Sequence, residues 1–67
     1  MKNPLDIQLG GNHYKNFKIQ PIEFIVKNNF NFIEGNVIKY ISRYKNKGGN
    51  EDLLKIKHYI DLLLTLK

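Results

Sequence analysis

Residues 34–50 read EGNVIKYISRYKNKGGN and predict a helix with an abrupt end. Apolar and aromatic side chains recur there at spacings of three and four, the pattern of a helix with one face toward a core. With the preceding isoleucine, that face comprises Ile33, Val37, Tyr40, Ile41 and Tyr44. Gly48 and Gly49 supply the left-handed backbone that often ends a helix. The segment is therefore predicted to pack through this face and to stop at the double glycine.

The same helix carries a second, polar stripe beside the apolar one. Its members recur at i, i+3, i+7 and i+11 and are Asn36, Lys39, Arg43 and Lys47. The whole stripe would run along roughly 17 Å of helix, with arginine suited to bidentate phosphate contacts and lysine acting as a point charge. Tyr40 would either stack on a base or belong to the core. A phosphate-binding face and an ordinary solvated basic face both remain open at this point.

Helix-start signals mark where the other helices of the chain begin. The whole chain is predicted to form a single domain. Pro21 suits the first position of a helix, where its missing N–H costs nothing. Asn31 and Glu34 have the spacing of a capping box. Asn50 is expected to cap a final helix that has acids in its first turn, and the last two helices should form an antiparallel hairpin. The predicted elements are an arm or loop at residues 1–20 and helices at residues 21–28, 32–46 and 51–66.

The N-terminal arm shows no helical periodicity. Leu5, Ile7 and Leu9 alternate with polar residues, so a short strand is one interpretation. The arm continues with GGNHY, and flexible backbone that carries an imidazole and a phenol is typical of a binding loop. His13 and Tyr14 are therefore candidate ligand-binding residues, with an ordinary turn as the alternative.

The length and composition of the chain limit the size of its core, and its charge indicates which kind of partner it would bind. A chain of 67 residues without cysteine buries a marginal core, so self-association is the expected stabiliser. Eleven Lys and Arg against six acids give a net charge of +5, which makes phosphate-bearing partners the first candidates. No apolar run is long enough for a membrane span, and MKNPLDIQ lacks the apolar centre of a signal peptide. The sequence predicts a cytosolic, mainly all-α homo-oligomer without a membrane partner.

The sequence contains no familiar catalytic or metal-binding motif. There is no Walker loop, no HExxH helix and no carboxylate cluster spaced to hold magnesium, so no catalytic residue, metal or cofactor is predicted. Gly48 and Gly49 precede a helix whose N–H groups could hold an anion, although nearby acids would compete. His58, flanked by Lys55 and Asp61, is either a phosphate contact or an ion-paired surface histidine.

Two stretches carry a resemblance to a known family. They are GGNHYKNFKIQPIEFI and EGNVIKYISRYKNKGGNEDLLKIKHYIDLL. The chain resembles very small bacteriophage and prophage proteins of unknown function, often labelled nucleotide kinases. That label reflects similarity to a longer podophage enzyme that phosphorylates deoxynucleoside monophosphates, and this chain resembles only its small domain. The family pattern is matched at His13, Tyr14, Glu34, Asn36, Lys39, Tyr40, Arg43, Lys47, Gly48, Gly49, Lys55, His58 and Tyr59.

The resemblance implies nucleotide binding, and the leading hypothesis is a phage-encoded sponge. Such a protein would bind a nucleotide or a cyclic-nucleotide-type immune signal at a site between protomers and sequester it from host defence. Lysines and arginine would hold phosphates, tyrosines would stack on bases, and Arg43→Ala is expected to abolish binding while leaving the oligomer folded. The expected site residues are His13, Tyr14, Asn36, Lys39, Tyr40, Arg43, Lys47, Gly48, Gly49 and His58.

Two alternatives to the sponge follow from the same observations. The first is a deoxynucleoside monophosphate kinase, or an accessory domain of one, with a site completed by oligomerisation. The second is a helper protein that binds nucleic acid or another protein, which the net charge of +5 suggests. The concentration of cations beside tyrosines in a small patch favours a small nucleotide over a long polymer.

Overall fold

The computed structural model describes residues 3–6 and 16–66 of the chain. Within these ranges every regular element is helical, so the predicted all-α class is confirmed. The elements are a 3₁₀ turn at Pro4–Asp6 and the helices α1 (Pro21–Lys27), α2 (Phe32–Arg43) and α3 (Gly49–Leu66). The strand considered for the arm falls mostly on residues outside the described ranges, and its described beginning belongs to the 3₁₀ turn.

α1 begins where the sequence predicts it, with Pro21 in the first turn. The side chain of Gln20 donates a hydrogen bond to the carbonyl oxygen of Leu5, which ties the 3₁₀ turn to the start of this helix. The helix ends at Lys27, and Asn29 reverses the chain with a φ of 57°. Asparagine enters this left-handed region more readily than most residues, so the turn follows from the local sequence.

A capping box fixes the start of α2, as predicted. The side-chain oxygen of Asn31 accepts a hydrogen bond from the N–H of Glu34 at 2.9 Å. In return, a carboxylate oxygen of Glu34 accepts one from the N–H of Asn31 at 2.9 Å. Two N–H groups that have no partner within the helix are satisfied in this way, which sets the first residue of α2 at Phe32.

The connection between α2 and α3 differs from the prediction. α2 ends at Arg43, three residues before its predicted end, and α3 begins at Gly49, two residues before its predicted start. The carbonyl oxygen of Arg43 accepts hydrogen bonds from the N–H groups of Asn46 at 2.9 Å and Lys47 at 3.0 Å, which folds the chain into turns. Asn50 therefore lies inside the first turn of α3 and is not its cap, and Lys47 lies in the connection.

α2 is the central helix of the described structure. α1 packs against α2, α2 packs against α3, and the described parts of α1 and α3 do not meet. Gly35 allows the close approach of α1, because a Cβ there would lie 3.1 Å from Cγ2 of Ile25. α2 and α3 run antiparallel, since Arg43 at the end of α2 pairs with Asp52 in the first turn of α3. The predicted helical hairpin is confirmed.

One copy of the chain buries little apolar surface. Ile56 is the one large apolar side chain that is buried among the described residues. Ile41, which the sequence assigns to the core-facing stripe of α2, is exposed, and so are the apolar side chains of Ile60 and Leu64 on α3. Self-association stays a prediction. A second copy of the chain would cover these exposed side chains. No helix of the described ranges combines the length and the apolar character needed to cross a membrane.

Candidate functional site

A bidentate ion pair joins the end of α2 to the start of α3. Nε of Arg43 donates to Oδ2 of Asp52 at 3.0 Å, and Nη2 donates to Oδ1 at 3.2 Å. The Asp52 side chain is 1% exposed and the Arg43 side chain 15% exposed. Guanidinium and carboxylate groups favour this two-point geometry. Arg43 is therefore engaged with the protein's own carboxylate.

Gly48 completes the surroundings of Asp52. Its backbone N–H donates to the Asp52 carboxylate, and a Cβ at this glycine would overlap the carboxyl group. The hydrogen bond from Arg43 is the main reason that the pKa of Asp52 lies below its ordinary value of 3.8. Burial opposes this shift, while the charges of Arg43 and Lys55 and the Gly48 N–H reinforce it. The start of α3 thus holds an anion that belongs to the protein itself.

The lowered pKa of Asp52 predicts a loss of stability in acid. Because folding favours the ionised carboxylate, its contribution is fully present above the ordinary pKa of 3.8 and is lost as the pH falls through the lower folded-state pKa. Urea midpoints measured from roughly pH 2 to pH 6 should fall at the acid end. Asp52→Asn should show less of this acid-dependent fall. An identical pH profile in the two proteins would exclude Asp52 as its source.

Three cations surround the ring of Tyr40. Nζ of Lys39 lies 5.1 Å from the ring centroid, Cζ of Arg43 lies 4.7 Å away, and Nζ of Lys55 lies 5.2 Å away. Cations within about 6 Å of an aromatic centroid are attracted by the negative face of the ring. Tyr40 therefore gathers positive charge from both helices of the hairpin.

Acidic side chains only partly balance this charge. Nζ of Lys55 lies 4.0 Å from Asp52 and 3.9 Å from Glu51. Asp52 is also the partner of Arg43. Lys39 has no acidic side chain within 4.0 Å in the described part of the chain. The surroundings of Tyr40 therefore carry a net positive charge.

A row of aromatic rings leads away from these cations. Tyr59 on α3 stacks with Tyr40, the centroids being 6.1 Å apart and the planes 17° from parallel. Phe32 meets Tyr59 edge-on, with 6.5 Å between centroids, and is itself 77% exposed. The surface is called the cation–aromatic face below, and its members are Phe32, Lys39, Tyr40, Arg43, Lys55 and Tyr59.

A family model spans most of the described structure. The model, described as a protein of unknown function (DUF3310), matches residues 3–61 and includes the whole cation–aromatic face. The chain belongs to the DUF3310 family. No curated protein and no solved structure is significantly similar to it. The resemblance to a family of unknown function is thus confirmed, and its link to phage nucleotide enzymes stays a prediction.

Some of the predicted site residues come together in this DUF3310 protein. Lys39, Tyr40 and Arg43 lie on the cation–aromatic face. Asn36 precedes Tyr40 by one helical turn, and its side-chain amide donates to the carbonyl oxygen of Phe32 at 3.0 Å. α2 therefore carries Asn36, Lys39 and Arg43 of the predicted stripe, but the Arg43 side chain is 15% exposed and pairs with Asp52.

The double glycine has a structural role in this family member. The N–H of Gly48 donates to Asp52, and the N–H of Gly49 donates to the carbonyl oxygen of Tyr44 at 2.8 Å. Both N–H groups therefore have partners within the chain and are not the free donors that the sequence had suggested. Lys47 is exposed in the connection between the helices and does not continue the stripe of α2.

Of the two histidines predicted for the site, His58 lies within the described residues. His58 is exposed on α3, with its ring 6.4 Å from that of Tyr59, and it forms no ion pair with Asp61 within 4.0 Å. His13 and Tyr14 lie outside the described residues, so their roles stay predictions. Among the described residues, no three His, Cys, Asp or Glu side chains are grouped to hold a metal ion.

Three members of the cation–aromatic face are not among the predicted site residues. Lys55 and Tyr59 match the pattern of the resembled family, and their spacing of four places them on one side of α3. The antiparallel hairpin brings this side of α3 next to Tyr40 on α2. The pattern of either helix alone does not show this contact. Phe32 gives no signal in the sequence beyond its place directly after the capping residue.

Proposed function

We propose that this DUF3310 protein binds a nucleotide or a nucleotide-derived signal at the cation–aromatic face. The proposal rests on the order of aromatic and cationic side chains along this face. Aromatic rings run from Phe32 through Tyr59 to Tyr40, and the ammonium groups of Lys39 and Lys55 lie at the Tyr40 end. A nucleotide has the same order of chemistry, with a flat base at one end and phosphate at the other.

The charges and exposures on the face support particular roles. Lys39 and Lys55 would neutralise phosphate as point charges. Phe32 and Tyr59 would offer ring surface on which a base stacks, an interaction that accepts every base. Arg43 would add its charge from a fixed position, because its hydrogen bonds to Asp52 hold the guanidinium in place.

A site shared between copies suits the openness of the face. Phe32 is 77% exposed, so a base stacked on it would be covered on one side only. A second copy over this ring would supply the other side and exclude water, which strengthens attraction between the cations and phosphate. Copies assembled before the ligand arrives would also lower the entropic cost of binding.

The resemblance implies a phage protein, and in an infected cell such binding would serve to sequester a signal. A small protein that holds a nucleotide signal of host defence in the host cytosol keeps that signal from its receptor. Sequestration requires affinity and abundance, and it requires no chemical step. The cation–aromatic face supplies the two kinds of group, cationic and aromatic, on which such affinity depends.

Titration calorimetry at low salt tests the proposal. The panel comprises mono-, di- and cyclic nucleotides and isomers of cyclic ADP-ribose, and at least one should bind. Lys39→Ala should weaken that ligand by at least about tenfold, the loss expected for a charge-assisted contact. Lys27→Ala is the matched control, because it removes the same charge from α1. Binding by none of the panel, or equal losses in both variants, would contradict the proposal.

A kinase would convert its nucleotide into a product, whereas a sponge would only bind it. Wild-type protein is incubated with a labelled nucleoside triphosphate, a divalent cation and each deoxynucleoside monophosphate in turn. A sponge leaves the acceptor unlabelled even when it binds tightly, whereas a kinase produces labelled diphosphate. Labelled product that disappears in Lys39→Ala would replace sequestration by catalysis at the same face.

A further inference from the structure

One side of α3 carries a mainly apolar stripe left uncovered by the described chain. Its members recur at spacings of four, three and four and are Leu53, Lys57, Ile60 and Leu64. Leu53, Ile60 and Leu64 are 38%, 44% and 63% exposed. α1 packs on α2 and does not reach α3. Alternating spacings of three and four form the seam through which helices pair in coiled coils.

We infer that α3 pairs through this seam with α3 of a second copy, in the antiparallel orientation. A two-fold axis midway along the seam sets the register. Leu53 then packs against Leu64 of the second copy, and Ile60 packs against the aliphatic stem of Lys57 of the second copy. Both contacts are centred on the same point of the helix, as a self-complementary two-fold interface requires.

Charge complementarity selects this orientation and identifies the occupant as a second copy. Lys57 in the seam and Asp61 at its edge are exposed and lie one helical turn apart. In the antiparallel register, each Lys57 lies beside Asp61 of the second copy, so two symmetric ion pairs form. A parallel pair would place each lysine beside a lysine and each aspartate beside an aspartate, and such like-charge contacts are costly.

The seam and the cation–aromatic face occupy different sides of α3. Lys55 is two residues from Leu53, which is roughly 200° around the helix, and Tyr59 is roughly 100° from Ile60. Pairing through the seam therefore leaves Lys55 and Tyr59 accessible. The inference does not depend on the proposed ligand, and the failure of either one leaves the other standing.

Introduced cysteines report the register directly, because the chain has none of its own. Leu53→Cys and Leu64→Cys chains are purified separately, mixed in equal amounts and oxidised mildly. We expect a disulfide-linked dimer containing one chain of each kind, since a disulfide needs Cα atoms within about 7 Å. Each variant alone should remain unlinked, because its two thiols would lie about 17 Å apart along the paired helices.

A control and a second measurement make the outcome decisive. Leu54→Cys mixed with Leu64→Cys should not cross-link, because Leu54 is exposed on another side of α3. Ile60→Glu should raise the dissociation constant of the oligomer at least about tenfold in light scattering, since it buries a charge in the seam, while the helical circular dichroism is retained. Cross-linking of Leu53→Cys alone, a monomeric wild type, or an oligomer that neither cross-links in the mixture nor responds to Ile60→Glu would overturn the inference.

Discussion

Arg43→Ala should unfold much of the protein, and should not leave a folded chain that has merely lost its ligand. The Asp52 carboxylate is 1% exposed in the intact protein, and without the guanidinium it would lose its main hydrogen-bond donor. A buried charge deprived of its partner is strongly destabilising. The sequence alone predicts the opposite result, because it treats Arg43 as part of a solvent-facing stripe. Thermal denaturation followed by circular dichroism distinguishes the two results.

Lys27→Ala is the comparison for this measurement. Nζ of Lys27 lies 2.9 Å from Glu23 and the lysine side chain is 73% exposed, so the pair is a surface one. Exposed pairs of this spacing contribute about 0.3–0.5 kcal/mol, whereas removing one partner of a buried pair costs about 3–5 kcal/mol. Adding Asp52→Ala to Arg43→Ala should recover stability, because it removes the unpaired carboxylate. Equal losses from Arg43→Ala and Lys27→Ala would show that the pair is not structural.

Local signals explain why the helices could be predicted. Pro21 marks the start of α1 by its own backbone chemistry, and the capping box of Asn31 and Glu34 is closed within four residues. Such features depend only on residues that are close in the sequence, and both are found in the structure as predicted. The end of α2 was less predictable, because the turns after Arg43 depend on how the following chain folds back.

The Arg43–Asp52 pair could not be read from either helix by itself. Periodicity assigns a side chain to a face but does not say which other element covers that face. On α2 alone, Arg43 belongs to a polar stripe, and on α3 alone, Asp52 is an acid at the favourable end of the dipole. The usable signal was their combination, a cation in the last turn of one helix and an acid in the first turn of the next. A short antiparallel connection brings these two turns together.

The apolar stripes show a second limit of sequence patterns. Periodicity identifies Ile41, Ile60 and Leu64 as side chains that avoid water, yet all three are exposed in one copy. The same pattern would arise from a core within the chain and from a seam between chains. The placement of α1 on α2, away from α3, leaves this side of α3 uncovered by the described chain.

Gly48→Ala should lower the thermal midpoint substantially, although alanine is the smallest possible addition. A Cβ at this position would overlap the carboxyl group of Asp52, and that group cannot withdraw because two hydrogen bonds from Arg43 hold it. Overpacking of this kind costs about 1–3 kcal/mol. Each kcal/mol lowers the midpoint by roughly 4–8 °C in a chain of this size. The loss should therefore be measurable by differential scanning calorimetry.

Gly49 provides the matched control, because it needs glycine for a different reason. Its φ is 54°, and a Cβ there would meet no atom within 4 Å, so the cost of alanine is backbone strain of about 1–2 kcal/mol. Asparagine tolerates this backbone, so Gly49→Asn should recover much of the loss, whereas Gly48→Asn should be at least as damaging as Gly48→Ala. In Asp52→Ala protein, Gly48→Ala should cost little more, since the overlapping carboxyl is gone. If asparagine rescued both positions equally, backbone conformation alone would set this turn, and the packing of Asp52 over Gly48 would not contribute.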